Sequence, residues 1–202
     1  MKSYLATMLL VLPSAVAIVP ALADSTHVAT SDAGIRAEYV EYVSPHETEP
    51  MRGYLAYPWR QNHQVVRAPA GLTGRRRPGV LVASDRHGLN AHVEAIVRQL
   101  AADQFIAFAP DARTTKSDEA FAAAATYLKN RPECTGAIGV VGFGDGGAIA
   151  NRLSAQMPDL TAVVSFDART PTIEDIARAT SADLAPPAWQ RTLGLLHRSL
   201  RR

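Results

Sequence analysis

The residues best placed to do chemistry lie where an apolar run gives way to a glycine-rich turn, Val140-Val141-Gly142-Phe143-Gly144-Asp145-Gly146-Gly147-Ala148. The spacing is that of a nucleophile elbow, G-x-Nu-x-G-G, in which a strand turns sharply into a helix and presents a central side chain for attack on a carbonyl. That centre should be Ser, Cys or Asp, flanked by small residues. Here it is Gly144, which tolerates strained dihedrals and carries no attacking group. Moving the frame by one residue would make Asp145 the nucleophile, but Phe143 would then fill a flank that needs a small side chain. The phosphate-loop pattern G-x-x-x-x-G-K is absent, and the glycines are read as an elbow, with no nucleotide cofactor expected.

Other candidates follow the ends of further apolar runs, where open α/β sheets bind their ligands. They are Ser84-Asp85-Arg86-His87, Asp111, and the pair Asp167 and Arg169. Taken singly, Asp111 and Asp167 read as turn or helix-cap residues. Asp85, His87, Asp145 and Asp167 are suitable ligand types for a divalent metal, but they match no established ligand spacing, and no metal is expected. Cys134 is the sole cysteine, so no internal disulfide forms. It precedes the turn Thr135-Gly136 with no ligand-spaced Cys or His, and reads as a surface or half-buried structural thiol.

These positions need a scaffold that brings strand ends together. Ile35, Ala37 and Tyr39, then Met51, Gly53, Leu55 and Tyr57, alternate as two half-buried strands joined through 44–50. Beyond a polar connection over 61–79 the rhythm changes. Val80–Ala83, Phe105–Ala109, Gly136–Phe143 and Leu160–Phe166 are apolar without alternation. Helical spacing separates them, at Val93, Ile96, Val97 and Leu100, at Phe121, Ala124, Ala125 and Leu128 behind Ser117-Asp118-Glu119, and over Ala148–Met157. This predicts a mostly parallel α/β sheet covered by helices on both faces. Pro186-Pro187 opens a last helix with Trp189, Leu193, Leu196 and Leu200 on one face.

The chain of 202 residues is 47% hydrophobic and 20% charged, with 21 Lys+Arg against 19 Asp+Glu. That composition predicts one ordinary globular domain, with no bulk field to bind nucleic acid or an anionic membrane. The basic run 74–79 reads as a solvated loop. Met1-Lys2-Ser3, the apolar Tyr4–Val19 and Ala21-Leu22-Ala23 predict a secretory signal peptide over 1–23. Pro13 and Pro20 argue against a membrane anchor. A flexible lead-in is expected over 24–33 and the domain over 34–202, exported to the periplasm or beyond, with no membrane contact once the signal is cleaved.

Several segments together resemble the dienelactone hydrolase (carboxymethylenebutenolidase) family of α/β-hydrolases. They are Met51-Arg52-Gly53-Tyr54-Leu55-Ala56, Pro78-Gly79-Val80-Leu81-Val82, Gly88-Leu89-Asn90, Phe108-Ala109-Pro110-Asp111, Gly139–Phe143, Gly146-Gly147, Ala150-Asn151-Arg152-Leu153 and Ala188–Leu193. The resemblance implies a Cys, His and Asp triad that opens esters or lactones, with the Cys at the elbow checked by a Glu on an earlier loop. In this chain Gly144 stands at the nucleophile position and Asp85 at the Glu position. Arg86 and His87 replace the family's loop Asn and Arg as binding residues, and Asp145 supplies the oxyanion-hole amide. From Asp175-Ile176 to Trp189 there is no room for the two strands and helix that would carry the triad Asp and His. His197, on the last helix, reads as a surface residue. The sheet is therefore expected to be truncated after the strand that follows the elbow, with homodimerisation through that edge as one outcome. The resemblance implies an impaired ester or lactone hydrolase; the alternative is a non-catalytic protein that binds a small carboxylate or a partner.

Overall fold

Apolar runs without alternation, such as Val80-Leu81-Val82-Ala83, are buried only when helices cover both faces of their sheet. The computed structural model, which describes residues 30–32, 34–44, 49–59, 76–84, 87–111, 113, 118–166 and 187–201, has that arrangement. Its strands are β1 (Thr30–Asp32), β2 (Ile35–Tyr42), β3 (Met51–Pro58), β4 (Arg77–Ala83), β5 (Ile106–Pro110), β6 (Cys134–Phe143) and β7 (Ala162–Phe166). They form one seven-stranded sheet in the order β1-β2-β3-β5-β4-β6-β7. The pairs β5-β4, β4-β6 and β6-β7 are parallel and the other three antiparallel. It follows that β2, β4, β5, β6 and β7 share one direction, and β7 is outermost on the elbow side among the described residues.

Four helices are described, α1 (Ala91–Ala102), α2 (Asp118–Lys129), α3 (Asp145–Gln156) and α4 (Pro187–Leu200). Alternate residues of each central strand feed opposite layers. Val80, Val82 and Val141 meet Ile96 and Leu100 of α1 and Trp189 and Leu196 of α4. Leu81, Ala83 and Val140 meet Phe121 and Leu128 of α2 and Leu153 of α3 on the other face. Asn90 caps α1, its side chain accepting from the amides of His92 (3.0 Å) and Val93 (3.1 Å). Tyr39 of β2 donates to Glu94, and Arg98 donates to the Tyr54 hydroxyl at 2.5 Å, so two polar ties hold α1 against the β2-β3 hairpin.

Four details differ from the sequence reading. β3 is buried on both faces and not half-buried, because it lies inside the sheet between β2 and β5: Tyr54 and Ala56 face one core while Leu55 and Tyr57 face the other. Thr30–Asp32, inside the stretch read as a lead-in, pairs with β2. The basic run is not wholly a solvated loop. Arg77 begins β4 with its amide donating to Glu133 O (2.9 Å), and Arg76 Nε donates to Cys134 O (2.8 Å). Cys134 is fully buried as the first residue of β6, and burial pushes its thiol up, away from nucleophilic use. The expected signal peptide, most of the lead-in and Ser117 lie outside the described residues. Among the described residues no helix is long and apolar enough to cross a membrane.

Trp189, 1% exposed, is the largest side chain that α4 contributes. Trp189→Ala is expected to destabilise the fold by about 3–5 kcal/mol, read as a lower urea midpoint.

Candidate active-site elbow

β6 ends at Phe143 and α3 begins at Asp145, with Gly144 between them at φ 56 and ψ −123. This is a backbone region that side-chain-bearing residues rarely enter. Two hydrogen bonds fix the turn: the Gly144 amide donates to Phe166 O and the Gly147 amide to Gly144 O, each at 3.0 Å. The flanking glycines permit a close approach. A Cβ on Gly146 would lie 2.0 Å from Ala83 O, and one on Gly142 would lie 2.3 Å from Gly146 O. A Cβ on Gly144, in contrast, would meet nothing within 4 Å among the described residues. The turn of a nucleophile elbow is therefore complete, and the space for its side chain is open.

An aromatic trio braces this turn from one side. Phe143 and Phe166 stack with centroids 5.1 Å apart and planes 4° apart, and Trp189 of α4 lies 6.3 Å and 6.2 Å from them. Asp145 is exposed in the first turn of α3, where the helix dipole favours its carboxylate. The same charge opposes any anion at the amides of that turn. Replacing the nucleophile of G-x-Nu-x-G-G by glycine also creates the spacing G-x-G-x-x-G at Gly142, Gly144 and Gly147. That spacing is a by-product of the substitution and gives no separate support for a dinucleotide.

The remaining described candidates share the carboxyl edge of the sheet. Ser84 directly follows β4, is buried, and its hydroxyl has no hydrogen-bond partner among the described residues; its carbonyl would lie 3.0 Å from a Cβ on Gly146. His87 is exposed in the turn between β4 and α1. Asp111, which follows β5, is more than a turn residue. Its Oδ1 accepts from the amides of Leu89 (3.3 Å) and Arg113 (3.1 Å) and from Arg113 Nε (3.1 Å), while Oδ2 accepts from the Arg113 guanidinium at 2.8 Å. Gly88 passes beside it at φ 75, where a Cβ would fall 2.3 Å from Oδ1. Asp111 thus clamps the loop that carries His87. Burial pushes its carboxyl up, but the hydrogen bonds from Arg113 and Leu89 outweigh this and hold it below the ordinary range. Sequence reasoning missed Arg113 and the aromatic trio; the Asp111-x-Arg113 spacing was the only local signal for the clamp.

Asp85, Arg86, Asp167 and Arg169 lie outside the described residues. Of the four candidate metal ligands, His87 and Asp145 are described, and among the described residues no group of three or more His, Cys, Asp or Glu could hold a metal ion.

His197 corrects the sequence reading in one respect, since it is half-buried and not a surface residue. Its ring stacks on Phe105, centroids 4.7 Å apart. Phe105 precedes β5, whereas the elbow follows β6. Because Ile106 and Ile138 both align with Gly79, His197 sits about 20 Å from the elbow along the strands. It cannot act there as a base. The segment 167–186 contains no histidine, and His197 is the only one after the elbow.

A mixed sheet, parallel through β5, β4, β6 and β7, with a strand-elbow-helix at its carboxyl edge is the arrangement of an α/β-hydrolase. Comparison with known proteins agrees. Residues 119–198 match the BAAT / acyl-CoA thioester hydrolase C-terminal family. The protein named "Putative hydrolase fragment YghX" from Escherichia coli K12 is 36% identical over 92 residues, which are 46% of this chain and 68% of that protein. A dienelactone hydrolase-like promiscuous phosphotriesterase from metagenomic libraries superposes with a TM-score of 0.53 at 23% identity, covering 82% of this chain and 77% of that one. The protein named "Putative Dienelactone Hydrolase" from Klebsiella pneumoniae gives a TM-score of 0.49 at 18% identity, covering 63% of this chain but only 58% of that one. The chain belongs to the α/β-hydrolase, dienelactone hydrolase-like family.

Asp111→Ala removes the acceptor for the part-buried Leu89 amide and for Arg113, and is expected to cost about 1–3 kcal/mol. Amide exchange should quicken at Leu89. Because the folded carboxyl titrates below its unfolded value, this contribution is complete above the ordinary carboxylate range and is lost as pH falls through the folded value. A comparison of wild-type and variant urea midpoints across that range checks it.

Proposed function

We propose that this protein is an ester or lactone hydrolase by lineage in which triad hydrolysis is lost, and that it binds a small ester, lactone or carboxylate at the carboxyl edge of the sheet. The observation that carries the reading is Gly144: the elbow turn is intact, no described residue fills the space above it, and its own position carries no nucleophilic side chain. The position of His197 supports it, since the one histidine after the elbow is stacked on Phe105 at the opposite end of the sheet. Without a nucleophile and its base, only ground-state binding and backbone donors remain, and these retain a small part of a triad enzyme's rate. Asp145 limits even that part, because it puts a carboxylate in the same helical turn as the amides that would serve an oxyanion.

The test is to offer the full chain a short p-nitrophenyl ester and an enol-lactone, and to record thermal shifts with a panel of lactones and small carboxylates. We expect no hydrolysis above buffer, and a rise in melting temperature with at least one member of the panel. Sustained turnover, abolished by Asp85→Ala, would show a rebuilt catalytic site and overturn the loss of hydrolysis. No shift with any member of the panel would overturn the binding role.

A further inference from the structure

We propose that α4 is an acid-sensitive strut: protonation of His197 at its far end loosens the brace that Trp189, at its near end, provides to the elbow. The helix has 14 residues, a length of about 21 Å, and it bears on two separate places. In its first turn Trp189 packs on Phe143 and Phe166, whose carbonyl accepts the Gly144 amide. In its last turns it rests on the connection between α1 and β5. There the His197 ring lies on Phe105, and the Arg201 guanidinium stands 5.7 Å from the same ring while donating to Asp103 O at 3.4 Å. Leu196 and Leu200, on either side of His197 in the chain, lie over the sheet at Gly139.

The far end is built for a neutral imidazole. His197 Nδ1 is buried without a hydrogen-bond partner among the described residues, so a proton added there gains no acceptor from them. Arg201, just past the end of α4, is the charge that acts on it; Arg198 is the next residue of the helix, Asp103 after α1 accepts from Arg201 through its carbonyl, and Arg77 of β4 is hydrogen-bonded to Gln104. Three of these four are cations. A helix C-terminus favours positive charge, but burial and then the Arg201 charge prevail and hold His197 below its ordinary value. The sign follows directly. The folded state binds the proton less readily than the unfolded chain, so stabilisation is complete above about pH 6.5 and is lost as pH falls below it. A single helix shares both contacts, and lifting its last turn weakens what holds Trp189.

Amide exchange followed by NMR tests this at Gly144 and Leu196 in the full chain, beside His197→Gln and His197→Phe. Comparison at equal pH cancels the intrinsic pH dependence of exchange, and two non-titrating variants guard against one failing to fold. Relative to either variant, wild-type protection at both amides is expected to be constant above about pH 7.5 and to fall by up to about tenfold per pH unit below about pH 6.5. A ratio constant at all pH would overturn the proposal. So would a fall at Leu196 with none at Gly144, since the two ends would then be uncoupled. Neither result depends on whether the elbow binds a ligand or hydrolyses one.

Discussion

Contact between the first turn of α3 and the end of β4 sets the geometry of the whole carboxyl edge. At Gly146 there is no room for a single Cβ before the Ala83 carbonyl, and at Gly142 none before the Gly146 carbonyl. The helix can sit this low only because both positions are glycine, and from there the chain must reverse through Gly144 in a conformation that few other residues accept. The Phe143 side chain then has one direction left, into the core with Phe166 and Trp189. The elbow is a consequence of packing, and it persists without the reactive side chain it usually carries.

That separation of backbone from chemistry explains how a family member keeps a detailed site geometry and lacks its reactive parts. The costly components of the turn lie in the core, where any change to Gly142, Gly146 or the aromatic trio would disturb two layers at once. The nucleophile position costs nothing to vacate: glycine relieves strain at a positive φ, and the space it leaves is open to solvent. The base is a different matter. His197 is anchored to Phe105 by α4, the same helix that braces the elbow through Trp189. Moving it to the elbow would mean dismantling the brace. The fold therefore stabilises the turn and keeps its last histidine away from it with one element.

Much of this was legible in the sequence. Apolar runs without alternation, each ending in polar residues, marked β4, β5, β6 and β7 and placed Ser84, His87, Asp111 and Gly144 along one edge. The elbow spacing gave the junction of β6 with α3 to within a residue. Long-range effects were not legible. Alternation in β3 signalled a half-exposed strand, because nothing local says that β5 will insert beside it with helices above and below. Cys134 sits next to a turn in sequence, and it is buried because β6 pairs with β4 and turns that face onto the core beneath α2. The role of Asp111 as a clamp depends on Leu89 and Gly88, more than twenty residues earlier, and the stacking of His197 depends on Phe105.

The measurement that tests the central claim most directly is pre-steady-state nitrophenolate release by Gly144→Cys with a p-nitrophenyl ester, after its thiol has been titrated. If the elbow presents a side chain but no base serves it, the thiol should react with a neutral alkylating reagent, and the ester should give about one equivalent of product and then stop. Sustained turnover would show that a working base stands beside Gly144. A thiol inert even to the alkylating reagent would show that the turn does not present its central residue, and would contradict the account at its foundation.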